Sequence, residues 1–253
     1  MRKLFNLLIY LSIFLVFWGG RANAQRGEIF VIKIDGAITP VTSNFISYAL
    51  NLAKENRGKA LIIELDTPGG LVESTREIVK EILQSDIPVI IYVSPQGARA
   101  ASAGVFILLA SHLAAMAPST HVGAAHPVEL SGKADSKMME KIANDLATWA
   151  KNLAETRGRN PQFAELAVKK SKSITEKEAL KQRVIEIVAV NLEDLINQAE
   201  GRKVKVKDKE IVLSLKGAPI KIINEDLKTR ILKILANPNL VYFLLMLGLL
   251  GIY

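Results

Sequence analysis

Ser102 stands in the stretch Ala100-Ala101-Ser102-Ala103-Gly104, with small residues on both sides. It follows an apolar run of strand character and opens an apolar helix. Small neighbours let a substrate backbone approach the hydroxyl closely. A helix N-terminus beside the serine supplies partial positive charge and free N–H groups where an oxyanion would develop. Those features suit a nucleophile in acyl chemistry. A serine is also a common N-cap, and this stretch alone supports a capping or buried-contact role equally well. A second signal is Asp66-Thr67-Pro68-Gly69-Gly70. A Gly-Gly pair at the carboxyl end of a parallel strand lets backbone amides face the crevice where such sheets bind ligands. On its own it is also an ordinary strand-to-helix turn.

An activated serine needs a base. The chain has three histidines, His112, His121 and His126. His112 ends the helix that Ser102 begins, far from the hydroxyl. His121 and His126 flank a Gly-Ala-Ala stretch and read as surface loop residues, although a Ser/His/Asp triad through His126 stays open. A lysine serves as base only when neutral, which requires desolvation. Lys141 lies beside Ile142 at the margin of a helical apolar stripe, where partial burial is expected. The spacing of Lys137, Lys141 and Asp145 fits a solvated face too, and spacing alone favours that reading. No metal-ligand cluster or phosphate-binding loop stands out, so no cofactor or metal is expected.

These residues need a scaffold, and the apolar pattern supplies one. Strands are predicted at Gly27–Gly36, Ala60–Leu65 and Ile87–Pro95, with a short one at Ala114–Met116. The third is continuously apolar, as expected of a strand covered on both faces. Helices alternate with them. One runs to about Glu55, capped by Thr42 or Ser43, and one covers Leu71–Gln84 with Leu71, Ile78 and Leu83 on its apolar side. Another begins near Ser102. A long helix spans Ser136–Thr156 with Met138, Ile142, Leu146, Trp149 and Leu153 along one stripe. Beyond it come a helix at Phe163–Lys169, a helix–strand pair at Ile174–Val190, a helix at Leu192–Glu200 and a small β region through Ile223. The alternation argues for parallel βαβ units in an α/β domain.

The chain has 253 residues, ample for one α/β domain with short appendages, and it lacks cysteine. Met1–Gln25 carries Arg2 and Lys3, an apolar run from Leu4 to Trp18, and Ala22-Asn23-Ala24. That is the arrangement of a cleaved signal peptide, with an uncleaved anchor helix as the alternative. Leu240–Tyr253 is apolar and uncharged, yet shorter than the ~20 residues that span a bilayer. The natural chain is therefore expected to continue past Tyr253. The formal charge of +8 is not a nucleic-acid signal, because the cations are spread and aromatics make up only 6%. Arg202–Lys209 alternates with Val and Asp as a solvated strand face would. Lys228, Arg230 and Lys233 precede the apolar tail, where lipid headgroups attract cations.

LDTPGG (65–70), PQGARAASAG (95–104) and ASHLAAMAPSTHVGAAHP (110–127) together resemble the membrane-bound serine proteases of the NfeD type. That family belongs to the ClpP/crotonase superfamily and is related to signal-peptide peptidase A. The similarity covers essentially the whole chain, and PNLVYFLLMLGLLGIY resembles the start of the family's membrane region. The resemblance implies an α/β fold of the ClpP/crotonase-like type, a stacked ββα superhelix. It divides the chain into a signal peptide (1–24), a ClpP-like serine protease domain (25–236) and the start of a transmembrane region (237–253). It implies Ser102 as nucleophile, Lys141 as base with Lys137 as the fallback, and an oxyanion hole from the amides of Gly70 and Ala103. One departure is Gln182-Arg183, which stands where the family has a glycine after the helix and leaves that helix end less well capped.

The implied activity is that of a membrane-tethered endopeptidase. It would cut hydrophobic segments, near the apolar C-terminus of a stomatin-like membrane protein, from outside the cytoplasm and as a homodimer or larger homo-oligomer. The same scaffold serves acyl-CoA hydratases, so fold alone does not decide function. An exported chain is separated from cytosolic CoA, which argues against that activity. A non-catalytic membrane scaffold that partners a stomatin-like protein is the remaining alternative.

Overall fold

The computed structural model describes residues 27–128, 136–225, 231–232 and 245–249. The expected signal peptide and most of the apolar tail lie outside the described residues, and among those described no helix is long and apolar enough to cross a membrane. Along the chain the elements are β1 (Ile29–Asp35), α1 (Pro40–Glu55), β2 (Ala60–Asp66), α2 (Val72–Gln84), β3 (Val89–Val93) and β4 (Arg99–Ala101). Then come α3 (Ala103–Ala110), β5 (Leu113–Met116), β6 (His121–Gly123), α4 (Ser136–Thr156), α5 (Pro161–Lys169), β7 (Ser173–Thr175) and α6 (Glu176–Lys181). The last are β8 (Ile187–Val188), α7 (Leu192–Ala199), β9 (Lys203–Val206), β10 (Lys209–Val212) and β11 (Ile220–Ile222).

The main sheet has the order β11-β1-β2-β3-β5-β8 and every pairing in it is parallel. Its central strands are apolar on both faces because both faces are covered, and all five residues of β3 are buried. One core cluster joins the sheet to α1 through α5; a second lies on the opposite face with α7 and β9. The predicted small β region divides in two. β9 and β10 form a separate hairpin whose Val204 and Val206 are buried while the intervening lysines are not. The segment PIKII instead adds β11 to the edge of the main sheet beside β1.

Three features depart from the expectation. The cap of α1 is Thr39, whose hydroxyl accepts the Thr42 N–H at 3.3 Å, with Pro40 at the first helical position. In α2 the buried face is Ser74, Thr75, Ile78, Val79 and Ile82, whereas Leu71 precedes the helix and is 46% exposed. In α4 the predicted bounds hold, but the apolar stripe is covered only in its later part. Leu146 and Leu153 are buried, while Met138 and Ile142 are exposed. The fully buried residues of α4 begin at Ala143.

The helix end without glycine closes in another way. Arg183 adopts φ 57°, and the Val184 N–H donates to Ala179 O at 2.8 Å as in a glycine-terminated helix.

Candidate active site

A small second sheet, absent from the sequence reading, delivers Ser102. β4 pairs in parallel with β6, and β6 pairs antiparallel with β7. β4 is then knitted to the carboxyl end of β2. Thr67 N–H donates to Arg99 O at 2.8 Å, Ala101 N–H donates to Thr67 O at 3.1 Å, and the Asp66 carboxylate accepts the Arg99 N–H at 3.0 Å. The two motifs singled out in the sequence are thereby one structural unit.

Ser102 sits between β4 and α3 with φ 51° and ψ −109°, a conformation that L side chains adopt only under strain. Its own N–H donates to Gly123 O at 3.0 Å. A sharp strand-to-helix turn of this kind lifts a serine hydroxyl clear of the backbone, and Ser102 is half-buried, between buried Ala101 and Ala103. Gly104 must be small as well: a Cβ there would lie 2.8 Å from Thr67 Cγ2 and 3.1 Å from Ala100 Cβ.

The Pro68-Gly69-Gly70 turn is pinned on both sides. The buried Thr67 hydroxyl accepts the Gly69 N–H at 3.1 Å. Gly69 O accepts the Ile38 N–H at 2.8 Å, and Ile38 O accepts the Leu71 N–H at 2.9 Å. A Cβ on Gly70 would collide with Ile38 O at 2.1 Å. Gly69, at φ 122°, packs directly on Ser102. The Gly70 N–H donates to no backbone carbonyl among the described residues. Ala103 opens α3, so its N–H has no intrahelical acceptor. The turn therefore brings two uncommitted amides to the neighbourhood of the serine.

The position of the proposed base follows from helix packing. Trp149 of α4 stacks on Phe106 of α3 at 4.4 Å between ring centroids. The guanidinium of Arg76, from α2, lies 4.5 Å over the Trp149 ring and pairs with Asp145 at 2.8 Å. Arg157 Nε donates to Ala110 O at 2.8 Å, near the end of both helices. Contacts in the same order along both chains mean that α3 and α4 run parallel. Ser102 precedes Phe106 by about 6 Å of helix rise and Lys141 precedes Trp149 by about 12 Å. Lys141 thus lies about one turn beyond the level of Ser102, and Lys137 a further turn away. The partial burial expected of Lys141 is not found in the single chain, where it is exposed and not hydrogen-bonded to Ser102. Among the described residues the fully buried positions of α4 begin only at Ala143, after Lys141.

The histidines are placed elsewhere. His112 is buried at the amino end of β3, its Nδ1 accepting the Val89 N–H at 3.0 Å. Burial, reinforced by Arg157 and Arg159, lowers its pKa to about 3, so it stays neutral and remote from the serine. His121 is exposed on β6, in register with Arg99. His126 is also exposed, and its Nδ1 lies 2.9 Å from Val168 O, which makes that nitrogen the protonated one. Sequence reasoning missed Gly123, whose carbonyl holds the Ser102 amide. It also missed Ile38 and Thr67, which hold the glycine turn. Gly123 had a signal in the Val-Gly-Ala-Ala run, and its φ of 147° shows why glycine is needed. Among the described residues no group of three or more His, Asp or Glu side chains converges on a metal position.

Comparison with known proteins bears on the family and the fold. A family model described as NfeD1b, N-terminal domain, matches residues 28–222. A membrane-bound protease of Pyrococcus horikoshii is 37% identical over 246 residues, covering 95% of this chain and 56% of that protein. The membrane protein NfeD1b of Bacillus subtilis is 26% identical over 233 residues, covering 91% and 51%. The chain spans about half the length of the curated relatives it matches. Among solved structures, a membrane-bound stomatin-specific protease, as an alanine-for-lysine mutant in complex with a substrate peptide, aligns with a TM-score of 0.77 and 37% identity. That alignment covers 83% of this chain and 98% of that one. ClpP1 of Listeria monocytogenes aligns with a TM-score of 0.53 at 20% identity, covering 65% of this chain and 94% of that one, a likeness of fold alone. With its ClpP-like α/β fold and a family match that runs from β1 to β11, the chain belongs to the NfeD1b N-terminal domain family.

Proposed function

We propose that this chain is the peptidase part of a membrane-tethered protein that cleaves hydrophobic segments with Ser102 as nucleophile and Lys141 as base. The observation that carries the reading is the strained Ser102 at the β4–α3 junction, packed against the Gly69-Gly70 turn. Backbone strain of this kind costs of order 1–3 kcal/mol and persists where surrounding structure enforces it. The amides of Gly70 and Ala103 form the oxyanion hole, assisted by the positive end of α3. In the reaction the serine hydroxyl loses its proton to neutral Lys141 as its oxygen attacks the peptide carbonyl. The lysine then protonates the leaving amine, and water hydrolyses the acyl-enzyme.

The substrate is an apolar segment of a stomatin-like membrane protein. The support is the relationship to a solved protease described as stomatin-specific and captured with a substrate peptide. Met138 and Ile142 beside Lys141 are exposed, as are Leu71 and Val72 past the glycine turn, and apolar residues left uncovered in this way suit contact with a second copy of the chain. Packing there would desolvate Lys141, and a homodimer or larger assembly is accordingly the active form. The peptidase domain stands outside the cytoplasm, exported by the signal peptide and held by the membrane region that begins in the apolar C-terminal segment.

The test is cleavage of apolar peptides from the C-terminal region of a stomatin homologue, with Ser102→Ala and Lys141→Ala beside the wild type. Loss of activity in both supports the dyad. Loss in Ser102→Ala alone moves the base to Lys137 or His126. Because a lysine base acts only when neutral, activity rises toward alkaline pH. The non-catalytic scaffold reading draws on one observation, the exposure of Lys141 in the single chain. Equal cleavage by all three proteins, or none by the wild type, would favour it.

A further inference from the structure

We propose that a cavity at the amino edge of the main sheet, opposite to the Ser102 end, is a binding site for a phosphate-type anion. The cavity measures about 340 Å³ and is lined by His112, Arg157, Glu186, Arg202, Lys203 and Lys205 among others. It lies beside the C-terminal end of α3, the eight-residue helix whose N-terminus carries Ser102, so about 12 Å of helix rise separates the two.

Its charge is lopsided. Four cationic side chains face one carboxylate, and that carboxylate is already committed. Glu186 takes both Arg159 nitrogens at 2.9 Å and the Ala114 N–H at 2.6 Å. Lys203 has its own surface partner in Glu210 at 2.8 Å. Arg202 Nε donates to Gln198 O at 2.8 Å. Arg157 donates to Ala110 O and Lys205 O, and its Nη2 has no partner.

The second observation is chemical. The buried side-chain nitrogens without a partner among the described residues are His112 Nε2 and Arg157 Nη2, and both residues line this cavity. Since His112 Nδ1 accepts the Val89 N–H, its proton is on Nε2. Both orphans are therefore donors. A buried donor left unpaired is costly, and two such donors on residues that line one cavity call for an acceptor. A phosphate offers several acceptor oxygens and no obligatory donor, which suits a guanidinium edge, an imidazole N–H and flanking lysines. The group could arrive as a free phosphate or as a lipid headgroup; the site reads the chemistry they share.

The experiment uses the full chain in non-ionic detergent. Inorganic phosphate is compared with sodium chloride at matched ionic strength, by thermal unfolding and by titration calorimetry. The expected result is a phosphate-specific rise in Tm of several degrees and one site per chain. The double variant Arg202→Gln with Lys205→Gln changes only cavity-rim side chains and should weaken phosphate at least tenfold, while Ser102→Ala should leave it unchanged. Equal Tm in phosphate and chloride overturns the proposal, as does a double variant that binds phosphate like the wild type. Vesicles of phosphatidylcholine, alone or mixed with phosphatidic acid, separate the sources. If the added binding from phosphatidic acid falls in the double variant, the site takes a headgroup; if it persists while phosphate binding falls, the site takes a free phosphate.

Discussion

Gly69 packs against Ser102 so closely that a methyl group on it would lie 2.6 Å from the serine Cβ and 3.0 Å from its Oγ. Its φ of 122° is also closed to other residues. Gly69→Ala must then either push the serine from its strained position or shift the turn that presents the Gly70 amide. The expected outcome is loss of peptidase activity by about a hundredfold or more, the scale of losing an oxyanion donor. Stability should fall by about 1–3 kcal/mol. Peptide cleavage and urea unfolding of the same variant check both figures, and wild-type activity in Gly69→Ala would contradict the site.

Why Ser102 and the glycine turn were legible, while Lys141's setting was not, is a matter of range. Small residues around one hydroxyl are a local pattern, and continuous runs such as Val89–Val93 announce a sheet covered on both faces. β4, β6 and β7 have three residues each, too few to show a period, so the sheet that aims the serine left no trace. The stripe along α4 marked which residues want cover without saying what covers them. Met138 and Ile142 carry the pattern of buried residues and lie exposed in the single chain. At α1 neither Thr42 nor Ser43 is the cap, because Pro40 fixes the helix start and makes Thr39 the cap.

Arg159 is an enclosed cation, with a side chain 1% exposed against Glu186 at 2.9 Å. It also donates to the carbonyls of Leu108, Leu109 and Ser111 at 2.9, 2.9 and 3.1 Å, and so caps the end of α3. Arg159→Met leaves the Glu186 carboxylate and three carbonyls without that partner. Stability is expected to drop by about 3–5 kcal/mol, the range for breaking one side of a buried pair. Chemical denaturation measures it; a loss below about 1 kcal/mol would mean that water replaces the guanidinium.

His112 links stability to acid. Its folded pKa is lowered from 6.5 to about 3, chiefly by burial. Between those values the unfolded chain binds a proton at this site and the folded chain does not. Acidification therefore favours unfolding, by up to 1.36 kcal/mol per pH unit. His112→Asn keeps an acceptor for the Val89 N–H and does not titrate. Unfolding free energies measured from pH 7 to pH 4 should fall more steeply for the wild type than for the variant. Parallel curves would show that His112 is protonated in the folded chain.

Arg183 offers a stabilising change. Its φ of 57° places a long side chain in the left-handed region, which costs an L-residue roughly 1–2 kcal/mol. Every bond made there runs through the backbone: Arg183 N–H to Leu180 O at 3.1 Å, Val184 N–H to Ala179 O at 2.8 Å, and Asn160 N–H to Arg183 O at 3.1 Å. Glycine keeps all three and removes the strain, while adding some freedom to the unfolded chain. Arg183→Gly should raise stability by about 0.5–1 kcal/mol and leave peptide cleavage unchanged, since α6 and β8 lie outside the serine's surroundings. Calorimetric Tm is the measurement; an unchanged or lower value would mean that the guanidinium makes a contact worth more than the strain it imposes.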